Sequence, residues 1–585
     1  MKGTILIVAI FLFAAGMGRA QEPADTVFGT GLLVDQGAFS REVEMTPDFS
    51  NDGRRADDLP RWFSLRPYTP YPKNQGGINS CIGWAMGYAA MTTQRAFERR
   101  ITNRKEITDN AFSALFIYNQ VKEGSCMSGA FLHKAAQLLT QTGDCRSADF
   151  DFPYTECDRE PKAELFNQSK NHLIRDFAAL FDKDTPARTA VMRCKRSIAE
   201  GKPVVVGMNI TESLKRLHKL DSKWQPSGSS SDKPLGGHAL CVVGYNDSLG
   251  VFEIMNSWGP SWGDMGYFQV SYKTFTEYAF QGIQLILPPL ELSPSELADI
   301  EKRKNAAYEQ QQQALARRES ASRAQSKADL ALQEATEQGN LNKMEQAREV
   351  IRRSQLTRQE AESSLRQADR AIQDAELTTA ALAGDFAVRV LLTDDFGTPL
   401  RENGRYLFEE ATPHWTGAFY ELDKKDWMEG DMFQVVARNI KKDSYVYLFS
   451  LDGNNKAEVH WPRNQRFEQD LNGHEAAGAG EGAMVAHSGA EIVIPGNDRV
   501  LTRENLLADH LCVLYSNVRI EDFRQRLIRM RDECRGDFEA RLRIAFGDLL
   551  IPVQASGYET DMMRCRVEKP DGGTAVAIVV KVENE

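Results

Sequence analysis

A long stretch almost free of proline divides the chain and limits what it can fold into. From Ser293 to about Leu377 the composition is dominated by Ala, Glu, Gln, Arg, Lys and Leu, which is typical of long helices. Two heptad-like rows lie on either side of Gly339-Asn340, a pair that suits a helix C-cap and turn. The rows are Ile300, Ala307, Ala314, Ala321, Ala328 and Ala335, then Met344, Ala347, Ile351, Ser354, Arg358, Ala361, Leu365, Ala368, Ile372 and Ala375. We predict two helices of about 40 residues that form an antiparallel coiled-coil hairpin over residues 291–380.

The stretches before and after this hairpin have different patterns. Residues 59–290 alternate aromatic and glycine-rich punctuation with short apolar runs, which indicates an α+β domain with helices early and strands late. Residues 386–585 contain short apolar runs split by glycine turns and one helical stretch, which is typical of a β-sandwich-like domain. Residues 21–58 are polar without a clear period, and we interpret them as a presegment or linker.

The first twenty residues predict export. A lysine near the start, an apolar run from Ile5 to Ala15 and small residues before Gln21 follow the plan of a signal peptide, with cleavage expected after Ala20. A membrane anchor is the weaker alternative, because the run is shorter than the roughly 20 residues that span a bilayer. We expect a secreted, periplasmic or cell-surface protein whose mature form has no membrane span.

The net charge limits which partners the chain can bind, and the number of cysteines limits how they can pair. A net charge of -11 offers no basic surface for nucleic acid or an anionic membrane. The nine cysteines are an odd number, so in an oxidising compartment at least one thiol stays unpaired or pairs between chains. Cys81 is the leading candidate for that thiol.

Cys81 has partners elsewhere in the sequence that suit a nucleophile. A thiol attacks a carbonyl carbon as thiolate, so it needs an imidazole, a group that orients the imidazole, and donors for the developing oxyanion. His238 lies in LGGHALCVVGYND, where two glycines permit close backbone approach, and Asn256 lies in VFEIMNSWGPSWGDMGYFQVSY after a predicted strand. Taken singly, His238 is more often a structural histidine and Asn256 a turn residue.

Taken together, these segments resemble the papain-like cysteine peptidases of bacterial type over about residues 59–285. The resemblance depends on LPRWFSLRPYTPYPKNQG, on the spacing of Gln75 and Cys81, on GHAL around the histidine, and on NSWGPSWGDMGY around the asparagine. It implies a papain-like two-lobed α+β domain, with a helical lobe and a β-barrel lobe, that hydrolyses protein or peptide substrates without a metal or cofactor.

The resemblance also implies a role for each of four catalytic residues. Cys81 is the nucleophile, at the start of a helix whose dipole favours the thiolate. His238 is the paired general base and acid, and Asn256 fixes the imidazole ring. The side-chain amide of Gln75 and the backbone N–H of Cys81 form the oxyanion hole.

Two tryptophans are expected to support this site, and two positions depart from the family pattern. Trp258 covers the bond between histidine and asparagine, and Trp84 packs against the helix start. The family usually has tryptophan directly after the nucleophile, whereas Ile82-Gly83 intervene here, which leaves substrate preference open. Ile78 stands where the animal and plant enzymes carry a disulfide cysteine.

The remaining cysteines and the short presegment give further expectations. Cys157 is expected to pair with Cys126 or Cys145, and Cys241 to be a buried reduced thiol. Residues 21–58 are shorter than the helical propeptide usual in the family, so inhibition by a large prodomain is not expected. The hairpin or the C-terminal domain is the alternative element that would limit access.

The C-terminal region resembles an uncharacterised β-rich module often attached to bacterial peptidases. Together with the hairpin, it is a candidate for contacting a surface or a protein partner.

The leading hypothesis for the function is a secreted endopeptidase that forms a thioacyl intermediate on Cys81. One alternative is a non-proteolytic scaffold or adhesion protein on a papain-like fold. Another is acyl transfer, or hydrolysis of cell-wall peptides, by the same residues.

Overall fold

The computed structural model describes ten stretches of the chain. They are residues 29–46, 59–151, 156, 158–394, 396–462, 482–485, 490–496, 499–503, 509–568 and 572–582. The predicted signal peptide and Cys157 lie outside them.

The described part of the presegment, residues 29–46, has regular structure, which its sequence pattern did not predict. The strand Leu32–Leu33 pairs in parallel with the strand Ala130–Phe131. The helix Gln36–Glu42 follows, and the Asp35 side chain caps it by accepting a hydrogen bond from the Ala38 N–H at 2.8 Å. Residues 29–46 are therefore part of the folded molecule and pack on the region that follows them.

The helices of the α+β region lie mainly in its first half, as predicted. One continuous helix runs through Cys81–Gly83, a π-helical segment Trp84–Met91, and Thr92–Glu98. The other α-helices are Arg104–Asp109, Ala114–Val121, Leu132–Gln141, Ala163–Ser169, Ala187–Ala199, Glu212–Lys215 and Tyr272–Tyr278, and the 3₁₀ turns are Arg66–Tyr68 and Lys170–His172. Apolar side chains of the first helix are buried on all of its faces, since it lies between the helical half and the sheet.

An eight-stranded sheet forms the second half of this region. In spatial order its strands are Asp176–Asp182, Ala279–Ile286, Val204–Thr211, Pro234–Asn246, Val251–Met255, Tyr267–Ser271 and Lys223–Trp224, with Trp62–Ser64 paired to Pro234–Asn246. The long strand Pro234–Asn246 is central and antiparallel to all three strands that pair with it. This combination of a helical half and a sheet half is the α+β architecture expected from the sequence.

The predicted antiparallel hairpin is confirmed. Its helices are Pro294–Glu337 and Leu341–Thr379, with a capping box at Ser293 and Glu296. The six residues of the first predicted row are all buried. In the second row six residues are buried, Met344, Ile351 and Leu365 are half-buried, and Arg358 is exposed with its side chain 3.5 Å from Glu362 one turn along the helix.

The C-terminal region contains two main sheets that pack face to face, as a β-sandwich does. One has the strands Leu382–Leu391, Phe408–Glu410, Met432–Ile440, Ala490–Ile494, Leu501–Thr502 and Met563–Val567. The other has Pro413–Trp415, Tyr420–Leu422, Ser444–Asp452, Ala457–Trp461, Met484–Val485, Asp509–Ser516 and Ala575–Val582. A small hairpin, Arg401–Glu402 with Arg405–Tyr406, the helices Phe523–Asp532 and Phe538–Phe546, and a 3₁₀ turn, Val553–Ala555, complete it.

The α+β region and the C-terminal region share a packed interface. Alternate residues of the strand Ser444–Asp452 face opposite sides, so Val446 lies in the sandwich core while Tyr445 lies in a second cluster with Ala178 and Ile286 of the α+β region. The Tyr445 hydroxyl donates to Asp176 at 2.5 Å. The C-terminal region is thus docked on the back of the strand Asp176–Asp182.

The close approach of two helices at Gly83 gives a test of the packing. A Cβ at Gly83 would lie 1.9 Å from the carbonyl oxygen of Ala114. We expect Gly83→Ala to lower the free energy of unfolding by about 3 kcal/mol, because backbone must move to accept the methyl group. Gly339→Ala is the control, since a Cβ there meets nothing within 4 Å and only its φ of +63° is unfavourable, at a cost of about 1 kcal/mol. Urea denaturation of both variants measures the difference, and equal losses would contradict the packing.

Candidate active site

Cys81 is the first residue of the buried helix and lies against the central strand. Its side chain has no exposed surface. The Ala239 N–H, next in the chain to His238, donates a hydrogen bond to the Cys81 sulfur at 3.4 Å. The backbone of Gly31, from the presegment, is close enough to this sulfur to lower its pKa. The fold therefore brings Cys81 beside His238, although the two are far apart in the sequence.

His238 is held by Asn256. The distance between His238 Nε2 and Asn256 Oδ1 is 2.9 Å, and the same Oδ1 accepts the Ser257 N–H at 2.8 Å. Because Oδ1 accepts a backbone donor, the amide orientation is fixed and Nε2 of the ring carries the proton. Nδ1 is buried and has no hydrogen bond among the described residues, so its lone pair is available to take a proton.

Two tryptophans enclose this histidine from one side. The Trp258 ring stacks on the His238 ring with centroids 5.0 Å apart and planes at 25°. Trp262 contacts Trp258 edge to face at 5.2 Å. Trp258 has 1% of its surface exposed, so it keeps water from the bond between His238 and Asn256.

The buried side-chain amide of Gln75 is held by three hydrogen bonds. The Ser257 hydroxyl donates to Gln75 Oε1 at 2.6 Å, which fixes the orientation of the amide. Gln75 Nε2 donates to the carbonyl oxygens of Ile78, at 2.9 Å, and of Gly29, at 3.0 Å. Sequence reasoning missed Ser257, because its position within the asparagine segment gives no signal that its hydroxyl reaches a residue so distant in the chain.

The presegment lies across this cleft. Gly29 and Gly31 contact Gln75 and Cys81 respectively, and the Gly31 carbonyl accepts the Ala130 N–H at 2.9 Å. The Leu32 side chain is 5% exposed and lies over Gly207 of a sheet strand. The short presegment itself therefore lies over Cys81, and a contribution of the hairpin or the C-terminal domain to limiting access stays a prediction.

Burial by these contacts sets the charge state of the pair. Desolvation raises the pKa of Cys81 to about 11, and the backbone groups of Ala239, Gly31 and Ile82 oppose that shift. Desolvation lowers the pKa of His238 to about 4, against the hydrogen bond to Asn256. Near neutral pH both groups are uncharged in the covered cleft.

The residues after Cys81 differ from the family pattern for a steric reason. Ile82 is fully buried, and Gly83 lies too close to Ala114 to carry a side chain. The indole of Trp84 instead donates to the Ser80 hydroxyl at 3.2 Å and packs on Tyr88. Trp84 and Gln75 are among the residues that line an open hollow of about 370 Å³.

The cysteine predictions have mixed outcomes. Cys126 is in a disulfide. Cys145 is free and buried, so a disulfide at Cys145 is wrong. Cys241 is a buried free thiol, as predicted.

The described residues contain neither a helix that is long and apolar enough to cross a membrane nor a group of three candidate metal-binding side chains.

Comparison with known proteins identifies the class of this domain. Residues 64–282 match the family model "Papain family cysteine protease". An uncharacterised peptidase C1-like protein of Acanthamoeba polyphaga mimivirus is 28% identical over 36% of this chain and 69% of its own length. Cathepsin K of Mus musculus is 26% identical over 41% of this chain and 66% of its own length. The solved structure of xylellain, a cysteine protease from Xylella fastidiosa, aligns with 46% of this chain and 98% of its own at 22% identity and a TM-score of 0.36.

The α+β region is therefore a papain-family cysteine protease domain. Its class is that of the cysteine-type peptidases, which are hydrolases. The matched stretch spans about two thirds of each of the two curated relatives.

The presegment contacts give a prediction for thiol chemistry. Phe39 is 1% exposed and packs its ring near His133, with centroids 6.5 Å apart. Phe39→Ala removes this anchor of the presegment helix, and we expect Cys81 to react with iodoacetamide on the order of 100-fold faster at pH 7. In the unaltered chain the rate rises only as the pH approaches the raised pKa of Cys81, about 11.

The control is Phe166→Ala, which removes a partly buried ring that packs on Phe116. Mass spectrometry of alkylated peptides measures each cysteine separately. Equal rates at Cys81 in the Phe39 and Phe166 variants would contradict a cover formed by the presegment.

Proposed function

We propose that the chain is a secreted papain-like cysteine endopeptidase, held latent by its presegment. The observation that carries the proposal is the arrangement of four side chains around one cleft. They are the Cys81 thiol, the His238 ring, the Asn256 amide that hydrogen-bonds this ring, and the Gln75 amide that donates to the presegment. In this proposal residues 59–290 are the peptidase domain, residues 291–380 the hairpin and residues 386–585 the C-terminal domain.

The proposed reaction begins when the presegment leaves and a substrate carbonyl takes its place. His238 Nδ1 accepts the thiol proton, and the Cys81 sulfur attacks the carbonyl carbon. Desolvation no longer opposes the ion pair once water enters the cleft, so thiolate and imidazolium are both favoured. Asn256 keeps the ring in the tautomer that leaves Nδ1 free.

The negative charge on the carbonyl oxygen is stabilised by hydrogen bonds from Gln75 Nε2 and from the Cys81 N–H. The same Gln75 donor is now occupied by the carbonyl of Gly29, which supports its proposed role. The imidazolium then gives its proton to the leaving amine, and a thioester remains on Cys81. Water, deprotonated by His238, attacks the thioester and releases the carboxylate product.

Secretion is proposed from the leader-like sequence and from the disulfide at Cys126, because disulfides persist in oxidising compartments. A bacterial type for both the peptidase and the C-terminal module is proposed from the sequence resemblance alone. The hairpin and the C-terminal domain remain proposed contacts for a surface or protein partner.

The identity of the nucleophile is tested with an epoxide inhibitor that alkylates active-site cysteines. In the Phe39→Ala background, which uncovers the cleft, we expect labelling at Cys81 and hydrolysis of casein peptides. Cys81→Ala in the same background should abolish both, whereas Cys241→Ala, which removes another buried thiol of the same domain, should retain both. Equal labelling of the Cys81→Ala protein would rule out the proposed nucleophile.

Oxyanion stabilisation by Gln75 is tested with two substitutions in the Phe39→Ala background. We expect Gln75→Ala to lower kcat about 100-fold, because one oxyanion donor is lost. Ser257→Ala should lower kcat about 10-fold with little change in KM, because the hydroxyl only positions the Gln75 amide. In the double variant Gln75→Ala/Ser257→Ala, we expect the kcat of Gln75→Ala alone, because the Ser257 hydroxyl acts by positioning the Gln75 amide. Losses in kcat that add fully would argue against that role.

A further inference from the structure

The C-terminal domain contacts the presegment directly. Arg519 lies after the strand Asp509–Ser516, and its guanidinium is 2.5 Å from the Glu44 carboxylate of the presegment. The same guanidinium contacts Asp176 of the peptidase domain at 2.9 Å. Beside it, the Gly482 N–H donates to the Met45 carbonyl oxygen at 2.8 Å. The stretch of the presegment around Glu44 and Met45 is therefore held between the two domains.

Because Glu44 is largely buried, its carboxylate depends on the ion pair with Arg519. The side chains of Glu44, Arg519 and Asp176 are 11%, 18% and 8% exposed. Glu44 Oε2 has no hydrogen bond among the described residues, so the ion pair to Oε1 is what compensates the carboxylate for lost water. A buried carboxylate is costly unless a cation pairs with it. The buried position of Glu44 thus depends on a residue of the C-terminal domain.

This contact connects through a short piece of chain to the covered cleft. From Glu44 the presegment runs back through the helix Gln36–Glu42 to the strand Leu32–Leu33 beside Cys81. The peptidase domain supplies its own contacts along the way, including the backbone bridge between Met45 and Ala179. The stretch around Glu44 is the part of the presegment that the C-terminal domain also contacts.

We propose that the C-terminal domain is a regulatory clamp that holds the presegment in the cleft through Arg519 and Gly482. The clamp deepens the proposed function and rests on Cys81 being the nucleophile that the presegment masks. Loosening it at Glu44 frees the presegment without undocking the domain. Arg519 keeps its pair with Asp176, and Lys202 keeps its pair with Asp443 at 2.5 Å.

The first test is Glu44→Gln in the full-length chain. The amide keeps the size of the carboxylate but loses the ion pair, so we expect Cys81 to react with iodoacetamide roughly 10-fold faster at pH 7. Glu491→Gln is the matched control, because it removes an ion pair to Arg438 at 2.9 Å inside the C-terminal domain, and it should leave the Cys81 rate unchanged. Buried Cys241 and Cys512 report in the same mass spectra on general unfolding.

The second test changes the C-terminal domain alone. A Cβ at Gly482 would lie 2.8 Å from Glu44 Oε2 and 3.0 Å from the Met45 carbonyl oxygen. Gly482→Ala should therefore push the presegment away and also speed the labelling of Cys81. Gly404→Ala is the control, since a Cβ at that position of the same domain meets nothing within 4 Å.

The outcomes separate the clamp from the proposed activity. Faster labelling of Cys81, with Cys241 and Cys512 still protected, supports the clamp. An unchanged Cys81 rate in both variants overturns it, and so does a rise shared by all three cysteines. Faster labelling of Cys81 without peptide hydrolysis supports the clamp and instead contradicts the proposed peptidase activity.

Discussion

The proposed active centre depends on the packing of one helix start against the middle of one strand. The hydrogen bond from the Ala239 N–H to the Cys81 sulfur joins the helix to the sheet, and His238 precedes Ala239 on that strand. The next strand pairs Met255 with Cys241 in antiparallel register, which brings Asn256 alongside the same segment. The 18-residue spacing of His238 and Asn256 is thus the length of a strand, a turn and a return strand.

The presegment closes this centre by two physical effects that act together. It fills the cleft sterically, since its Gly29 carbonyl takes the hydrogen bond of Gln75 and its Leu32 lies over Gly207. It also removes water, and burial without an opposite charge shifts the pKa values of Cys81 and His238 so that both stay neutral. A covered site of this kind is less nucleophilic as well as less accessible. Removing the cover reverses both effects at once.

The sequence predicted the features that are encoded locally or in a strict spacing. The seven-residue row of the hairpin predicted its buried face, and the segments around His238 and Asn256 predicted the hydrogen bond between these two side chains. The structure of the presegment was not predictable in the same way. A two-residue strand and a seven-residue helix have too few residues to show a period, and such short elements depend on tertiary contacts for stability. The pairing of Glu44 with Arg519 joins residues too distant in the chain for one sequence to reveal.

The hairpin allows the two domains to contact each other despite the long insertion between them. Because its helices are antiparallel, the chain returns toward the level at which it left, and Lys304 in the first part of one helix lies 3.9 Å from Glu376 near the end of the other. Glu376 in turn pairs with Arg566 of the C-terminal domain at 2.8 Å, so the base of the hairpin is tied to that domain. The α+β region and the C-terminal region also contact each other directly, as Lys202 does with Asp443. The length of the arm is therefore free to vary without changing the position from which Arg519 reaches Glu44.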